Sequence, residues 1–195
     1  MRRAGRTRPG VRLKRRRVRH GECLPSARDP ALTPVNETRI RKDLAQRKLT
    51  IERCFHAPLW RVWQAYTDPG LLGRWWAPKP WRTRTLHMDF QIGGYWHYAM
   101  NGPDGEQHFG RMDFSAIEQL RRYEAIDVFA DASGAAVPGM PRQTFLTSFA
   151  EEGDDTRVTV TVDYETVEDL EKVLEMGMEQ GVTMTHDQLE MLLSG

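Results

Sequence analysis

Between Arg82 and Tyr164 the chain alternates apolar and polar residues with period two, in six segments divided by turn signals. After Glu165 the apolar residues recur at helical spacing instead. This switch constrains the fold most, because period two sorts side chains onto the two faces of a strand and period 3.6 builds a stripe along a helix. In the first segment Leu86, Met88 and Phe90 share one face, and Thr85, His87 and Asp89 share the other. Gly93-Gly94 permits a tight turn, after which Trp96, Tyr98 and Met100 face one way and Tyr95, His97 and Ala99 the other. Asn101-Gly102-Pro103-Asp104-Gly105 is a strong turn signal. Gly110, Met112, Phe114 and Ala116 continue on the next strand. Tyr123, Ala125, Asp127 and Phe129 then fall on one face, with Ile126 and Val128 on the opposite one. Gln143–Glu151 and Thr156–Tyr164 read as a hairpin whose inner face carries Val158, Val160 and Val162.

The flanks complete the pattern. Leu49, Ile51 and Arg53 alternate on a first strand over Lys48–Phe55, where the pattern shifts to Cys54 and Phe55. Pro58 suits the first turn of a helix, and Leu59, Val62, Trp63 and Tyr66 follow at helical spacing. Asp68-Pro69-Gly70 ends that helix and starts another through Leu71, Leu72 and Trp75. Pro78 and Pro80 exclude regular helix, so an extended connector holds Trp76 and Trp81. All six tryptophans fall between Trp60 and Trp96, about one fifth of the chain. At the far end Thr166 is an N-cap with Glu168 and Asp169 in the first turn. Leu170, Val173, Leu174, Gly177, Gly181, Met184, Leu189 and Leu192 then predict one long helix. Gly177 and Gly181 share a face of it, each at a cost of about 1 kcal/mol relative to Ala. Close approach to a sheet, or room beside a cavity, would justify that cost. The fold class is therefore α+β: a curved antiparallel sheet of about six to seven strands around a long C-terminal helix, with two short helices after the first strand.

The chain has 195 residues, 28% charged and 39% hydrophobic, enough for one well-cored domain. No apolar run approaches the roughly 18 residues of a membrane span. The net charge of +1 conceals an asymmetry. Residues 1–34 hold 11 Lys and Arg against two acids, a net +9, and residues 35–195 carry −8. The basic stretch is rich in Arg, Pro and Gly and lacks apolar periodicity, so residues 1–34 are expected to be a disordered leader and residues 35–195 the domain. Translation starting downstream, near Val35, would also account for the leader. Contact with nucleic acid is expected, if at all, only through residues 1–34. Cys23 and Cys54 form no metal or redox motif, and a disulfide framework is not expected, which points to a reducing, cytoplasmic setting.

These residues resemble a known superfamily, the START-like helix-grip or SRPBCC proteins. Within it the chain is similar to bacterial members related to the C-terminal domain of the activator of the heat-shock protein 90 ATPase. Ala57-Pro58-Leu59-Trp60-Arg61-Val62-Trp63, Trp75 through Trp81, Gly93 through Trp96, Gly102 through Gly105 and Gly177-Met178-Glu179-Gln180-Gly181 carry the likeness, over about residues 36–194. An aromatic residue often follows that last glycine in the family; here it is Val182, which implies a slightly larger pocket. The resemblance implies the fold. It leaves chemistry open, because the superfamily includes lipid and hormone binders, cyclases, hydratases and chaperone cofactors.

No P-loop, Ser/His/Asp signature or His-x-x-x-His pair is present. No cofactor and no metal are expected. Single residues carry the candidate chemistry. Asp127 on an inner strand face would have its pKa raised by burial and could act as acid or base, or orient a ligand. His108 shares parity with Met112 and Phe114 and is the second candidate, while Tyr98, Thr147 and Tyr164 could supply hydroxyls. The leading expectation is a binding domain for a small hydrophobic molecule, in a pocket on the order of 300–1,000 Å³. Trp76, Trp81, Met88, Trp96, Tyr98, Met112, Asp127, Phe129 and Met184 are the candidate lining residues. A cyclase- or hydrolase-like enzyme using Asp127 or His108, and a chaperone-cofactor-like module with a protein partner, remain open alternatives.

Overall fold

The computed structural model describes residues 37–195. The leader and the boundary at residue 35 lie outside the described residues. Strands β1 (Arg39–Asp43) and β2 (Lys48–Phe55) come first, followed by helices α1 (Leu59–Thr67) and α2 (Pro69–Trp75). Strands β3 (Arg82–Met88), β4 (Tyr95–Asn101), β5 (Gln107–Glu118), β6 (Arg122–Ala130), β7 (Arg142–Glu152) and β8 (Asp155–Tyr164) run in succession. Helices α3 (Val167–Glu175) and α4 (Met178–Leu193) end the chain. All eight strands form one curved antiparallel sheet in the order β1-β2-β8-β7-β6-β5-β4-β3. The helix-grip architecture is as expected, with one strand more than the sequence indicated.

The extra strand, β1, is Arg-Ile-Arg-Lys-Asp, so only Ile40 could have marked a face. Its charges suit an exposed sheet edge, where they discourage pairing with other chains. The sheet wraps a core in which Leu49, Val62, Leu72, Leu170 and Leu189 are almost wholly enclosed. Trp63 packs edge-on against Phe90, Tyr123 and Phe149 and is buried, whereas Trp60 on the same helix is 58% exposed.

Three local readings need correction. The C-terminal helix is broken. Gly177 adopts φ +83°, in the left-handed region, and separates α3 from α4. Such a conformation strains any residue with a Cβ, which explains this glycine without a helix-interior cost. Of these two glycines, only Gly181 lies inside a helix. Second, β3 carries a bulge between Thr85 and His87. Thr85 is therefore opposite Tyr98 and Met88 opposite Trp96, both on the inner face, and Leu86 does not belong to that alternation. The Trp96 indole donates to Thr85 Oγ1 at 3.0 Å. Third, β2 does not shift face after Arg53. Its burial alternates through Phe55, so Arg53 points inward and is 3% exposed.

One side chain joins α4 to the connector after α2. Gln188 is buried, and its amide donates to the carbonyls of Trp75 (2.9 Å) and Ala77 (2.8 Å). Its Oε1 accepts from the Lys79 amide at 2.9 Å. Pro78 and Pro80 have no amide hydrogens to offer a ladder, and three of the connector's other backbone groups are satisfied from α4. Replacing Gln188 by Leu keeps the bulk and leaves three backbone groups unpaired. We expect urea denaturation of Gln188→Leu to show a loss of about 2–4 kcal/mol; a loss below the error of the measurement would refute the clamp.

Candidate functional site

A cavity of about 250 Å³ lies between the inner face of the sheet, the connector after α2, and the N-terminal half of α4. Its sheet wall is made by Tyr98, Tyr123, Asp127, Phe145, Thr147 and Val160. The α4 wall includes Met178, Gly181, Val182 and His186, and Trp75, Trp76 and Pro78 close the third side. The half-buried residues Trp76, Pro78, Met100, Met178 and Val182 bring it to the surface. Gly181 contributes by absence: a Cβ there would meet nothing within 4 Å. Gly110 does so differently. It lies opposite Tyr98, and a Cβ there would sit 2.4 Å from the Tyr98 ring. Tyr98 therefore lies flat over β5, with Trp96 stacked beside it at 4.2 Å between centroids.

The candidate residues divide accordingly. Trp76, Tyr98 and Asp127 line the cavity, as does Thr147. Trp96 and Met112 have the inward parity read from the sequence, but each is 2% exposed and packed into the core, away from the lining. Met88 packs against that core as well. Phe129 is on Asp127's face one repeat further along β6 and does not line the cavity. Met184 is 44% exposed on the outer side of α4. Trp81 stacks on His108 at 5.1 Å, and neither borders the cavity. The exposed His108 sits opposite Met100 at the start of β5, so it is not placed to work with Asp127 inside the cavity. Tyr164 is buried but does not line the cavity.

Asp127 is 8% exposed. Its Oδ2 accepts from Gln143 Nε2 at 2.7 Å, across the direct β6–β7 pair. Burial pushes its pKa up to about 6, and the Gln143 hydrogen bond opposes the rise. Burial likewise raises Tyr123 to about 12, and raises Tyr98, with the Asp127 charge adding to the effect on Tyr98.

A second polar group in the wall escaped the sequence reading. His186 is 5% exposed and lies on the inner stripe of α4, which runs Val182, His186, Leu189, Leu193. That stripe was the available signal, since its spacing puts a histidine among core residues. His186 Nδ1 lies 3.0 Å from Thr38 Oγ1, and Nε2 lies 3.3 Å from the Tyr66 hydroxyl. Arg53 donates to the same Thr38 oxygen at 3.1 Å and to Asp187 at 2.6 Å. Burial, then the Arg53 charge, lower the His186 pKa to about 3, so the ring is neutral. The inward Arg53 is thus held by a chain of hydrogen bonds that reaches the cavity at Tyr66. A second depression, of about 610 Å³, lies between α1, α2 and the end of α4. Arg61, Asp68 and Arg74 are among its lining residues, which make it polar and surface-facing.

Residues 56–194 match the family described as activator of Hsp90 ATPase homolog 1-like protein. The chain belongs to that family. Its helix-grip fold is shared by solved structures of similar sequence. A protein of Mycobacterium smegmatis is 33% identical over 80% of this chain and 96% of its own, with a TM-score of 0.75. One from Arthrobacter aurescens is also 33% identical, over 80% of this chain and 91% of that one, with a TM-score of 0.76. A Staphylococcus epidermidis protein is 28% identical over 80% and 93% of the two chains, with a TM-score of 0.71. The curated proteins give no significant match. The matched residues span β3 to β8 and all four helices, and so most of the walls of the cavity. Among the described residues no three His, Cys, Asp or Glu side chains gather as a metal site, and no helix is long and apolar enough to cross a membrane.

The two buried titratable groups pull stability in opposite directions. Asp127 takes up its proton at about 6 in the folded chain and at its ordinary 3.8 when unfolded. Stability from this group is present below pH 3.8 and is lost as pH rises through 6. His186 is the reverse: the unfolded ring protonates near 6.5 and the folded ring near 3, so its stability is lost as pH falls through that window. Thermal melts of Asp127→Asn should therefore show a gain over wild type above pH 6, on the order of 2–3 kcal/mol, that vanishes below pH 4. His186→Gln should flatten the loss of stability between pH 6.5 and 3. A gain for Asp127→Asn that is independent of pH would contradict the assignment.

Proposed function

We propose that the protein is a binding domain for a small hydrophobic molecule, held between the curved sheet and α4. The observation that carries this reading is the cavity itself: a largely apolar and aromatic space of about 250 Å³ between the sheet and α4. Binding sites are typically concave, mostly apolar, and provided with a few convergent polar groups. Asp127 and the Tyr66 hydroxyl are such groups here, one on the sheet wall and one beside α4. Family membership supports a ligand-binding or partner-binding domain in general terms. The internal cavity favours the small molecule.

Chemistry has less support. Asp127 hydrogen-bonds Gln143 and is not paired with His108 or another base. Among the described residues its one hydrogen-bond partner is that amide, and no hydrogen bond links it to the Thr147 or Tyr98 hydroxyl or to His186, an arrangement better suited to orienting a ligand than to turning one over.

Gly181 offers a test that separates binding from folding. Leucine at this position extends into open cavity and removes a helical glycine, which is worth up to about 1 kcal/mol in stability. Gly181→Leu should melt no lower than wild type and should lose the small molecule that native mass spectrometry detects on protein purified from cells. An empty wild-type protein, or a Gly181→Leu variant that still carries the same mass, would count against the proposal.

A further inference from the structure

We propose that the cavity is built for an amine: a compact aromatic or alkyl molecule whose ammonium group sits against Asp127. This inference rests on the small-molecule reading above and specifies the polar end of the ligand.

The argument starts from unpartnered atoms. Asp127 Oδ1 and Gln143 Oε1 are both buried and lack a hydrogen-bond partner among the described residues. They belong to directly paired residues on β6 and β7, already linked to each other through Asp127 Oδ2 and Gln143 Nε2. Buried polar atoms are nearly always satisfied, and leaving a charged one unsatisfied is costly. Two such acceptors in one cross-strand pair, one of them in the cavity wall, call for a donor. An ammonium has three N–H groups and no acceptor, whereas a hydroxyl has a single donor.

Charge selects among donors. None of the ion pairs among the described residues involves Asp127. Arg53, the buried cation nearest in kind, is held by Thr38 and Asp187 on the α4 side. Nothing positive lowers the Asp127 pKa, and its only opposing influence is the Gln143 amide. An ammonium would supply the missing counter-charge in a site where little water competes. A carboxylate ligand would meet the opposite effect. The remaining wall fits the same group. Tyr98, Trp76, Tyr123 and Phe145 are among the rings that line the same cavity, and ring faces attract cations. At about 250 Å³ the space suits a single-ring amine.

Isothermal titration of the full chain at pH 7.5 and 0.15 M salt tests this, with 2-phenylethylamine and 2-phenylethanol as the two probes. They share ring and chain length and differ in the polar end. The amine should bind at least about tenfold tighter than the alcohol. Asp127→Asn should abolish that preference while changing the alcohol's affinity by no more than about threefold. Asp104→Asn, on the exposed 101–105 turn, removes the same charge from the surface and should leave the preference intact. The wild-type ratio is decisive even if Asp127→Asn does not fold. If the alcohol binds as tightly as the amine, the amine assignment is overturned and the small-molecule reading stands. If neither probe binds, both are overturned.

Discussion

The three hydrogen bonds of Gln188 are the interaction on which the rest of the structure depends. They join α4 to a connector whose two prolines offer no amide hydrogens and whose one internal backbone bond runs from the Trp81 amide to the Pro78 carbonyl. With that clamp in place, Trp76 and Pro78 stand at the side of the sheet and form the third wall of the cavity. The connector could not be held by a sheet ladder or by its own helix. A long polar side chain reaching from a neighbouring helix is one of few solutions, and burying it is tolerable because every polar atom of its amide is used.

The open space follows from two glycines with different roles. Gly110 lets the Tyr98 ring lie across β5, which flattens one wall. Gly181 leaves the facing surface of α4 without a side chain. Between them the sheet and helix are braced at the ends, by Trp63, Phe149 and Leu189 and by the Arg53–Thr38–His186–Tyr66 hydrogen bonds, and not in the middle. The cost of that arrangement is a set of buried polar groups next to apolar surface. Arg53 and His186 are reconciled by keeping the histidine neutral. Asp127 is only half reconciled, by one amide, and this asymmetry gives the cavity its chemical direction.

Much of the fold was legible beforehand. The parity of Trp96, Tyr98 and Met100, of Gly110, Met112 and Phe114, and of Tyr123, Ala125 and Asp127 is as read, because a half-buried strand leaves a strong period-two trace. Thr166 is the N-cap of α3, as its side chain and the acids after it implied. The readings that failed did so where a backbone irregularity or a charged residue breaks the usual correlation. The β3 bulge moved Thr85 inward, and no residue type announces a bulge at that point. Arg53 was read in step with Leu49 and Ile51, but the shift expected at Cys54 and Phe55 does not occur, and the buried face runs on through Arg53 to Phe55. Gly177 was taken as helix interior, since helical spacing resumes in nearly the same phase beyond it.

The site was less legible than the fold, and the reason is geometric. Inward parity identifies a face, whereas lining a cavity requires being on the part of that face left uncovered. Trp96, Met112 and Asp127 share a face, but only Asp127 borders the cavity, because the Trp76 and Tyr98 rings pack on Trp96 and Met112 is enclosed in the core. The sequence by itself determined the class of fold, the family, the inner faces of most strands and the presence of a carboxylate on one of them, since these depend on local periodicity and motifs. Tertiary structure alone decided where the packing stops, which of the inward groups meet, and that His186 and Gln143 complete the polar parts of the site. Those outcomes depend on contacts between strands and helices far apart in the chain, and such contacts leave no local periodicity behind.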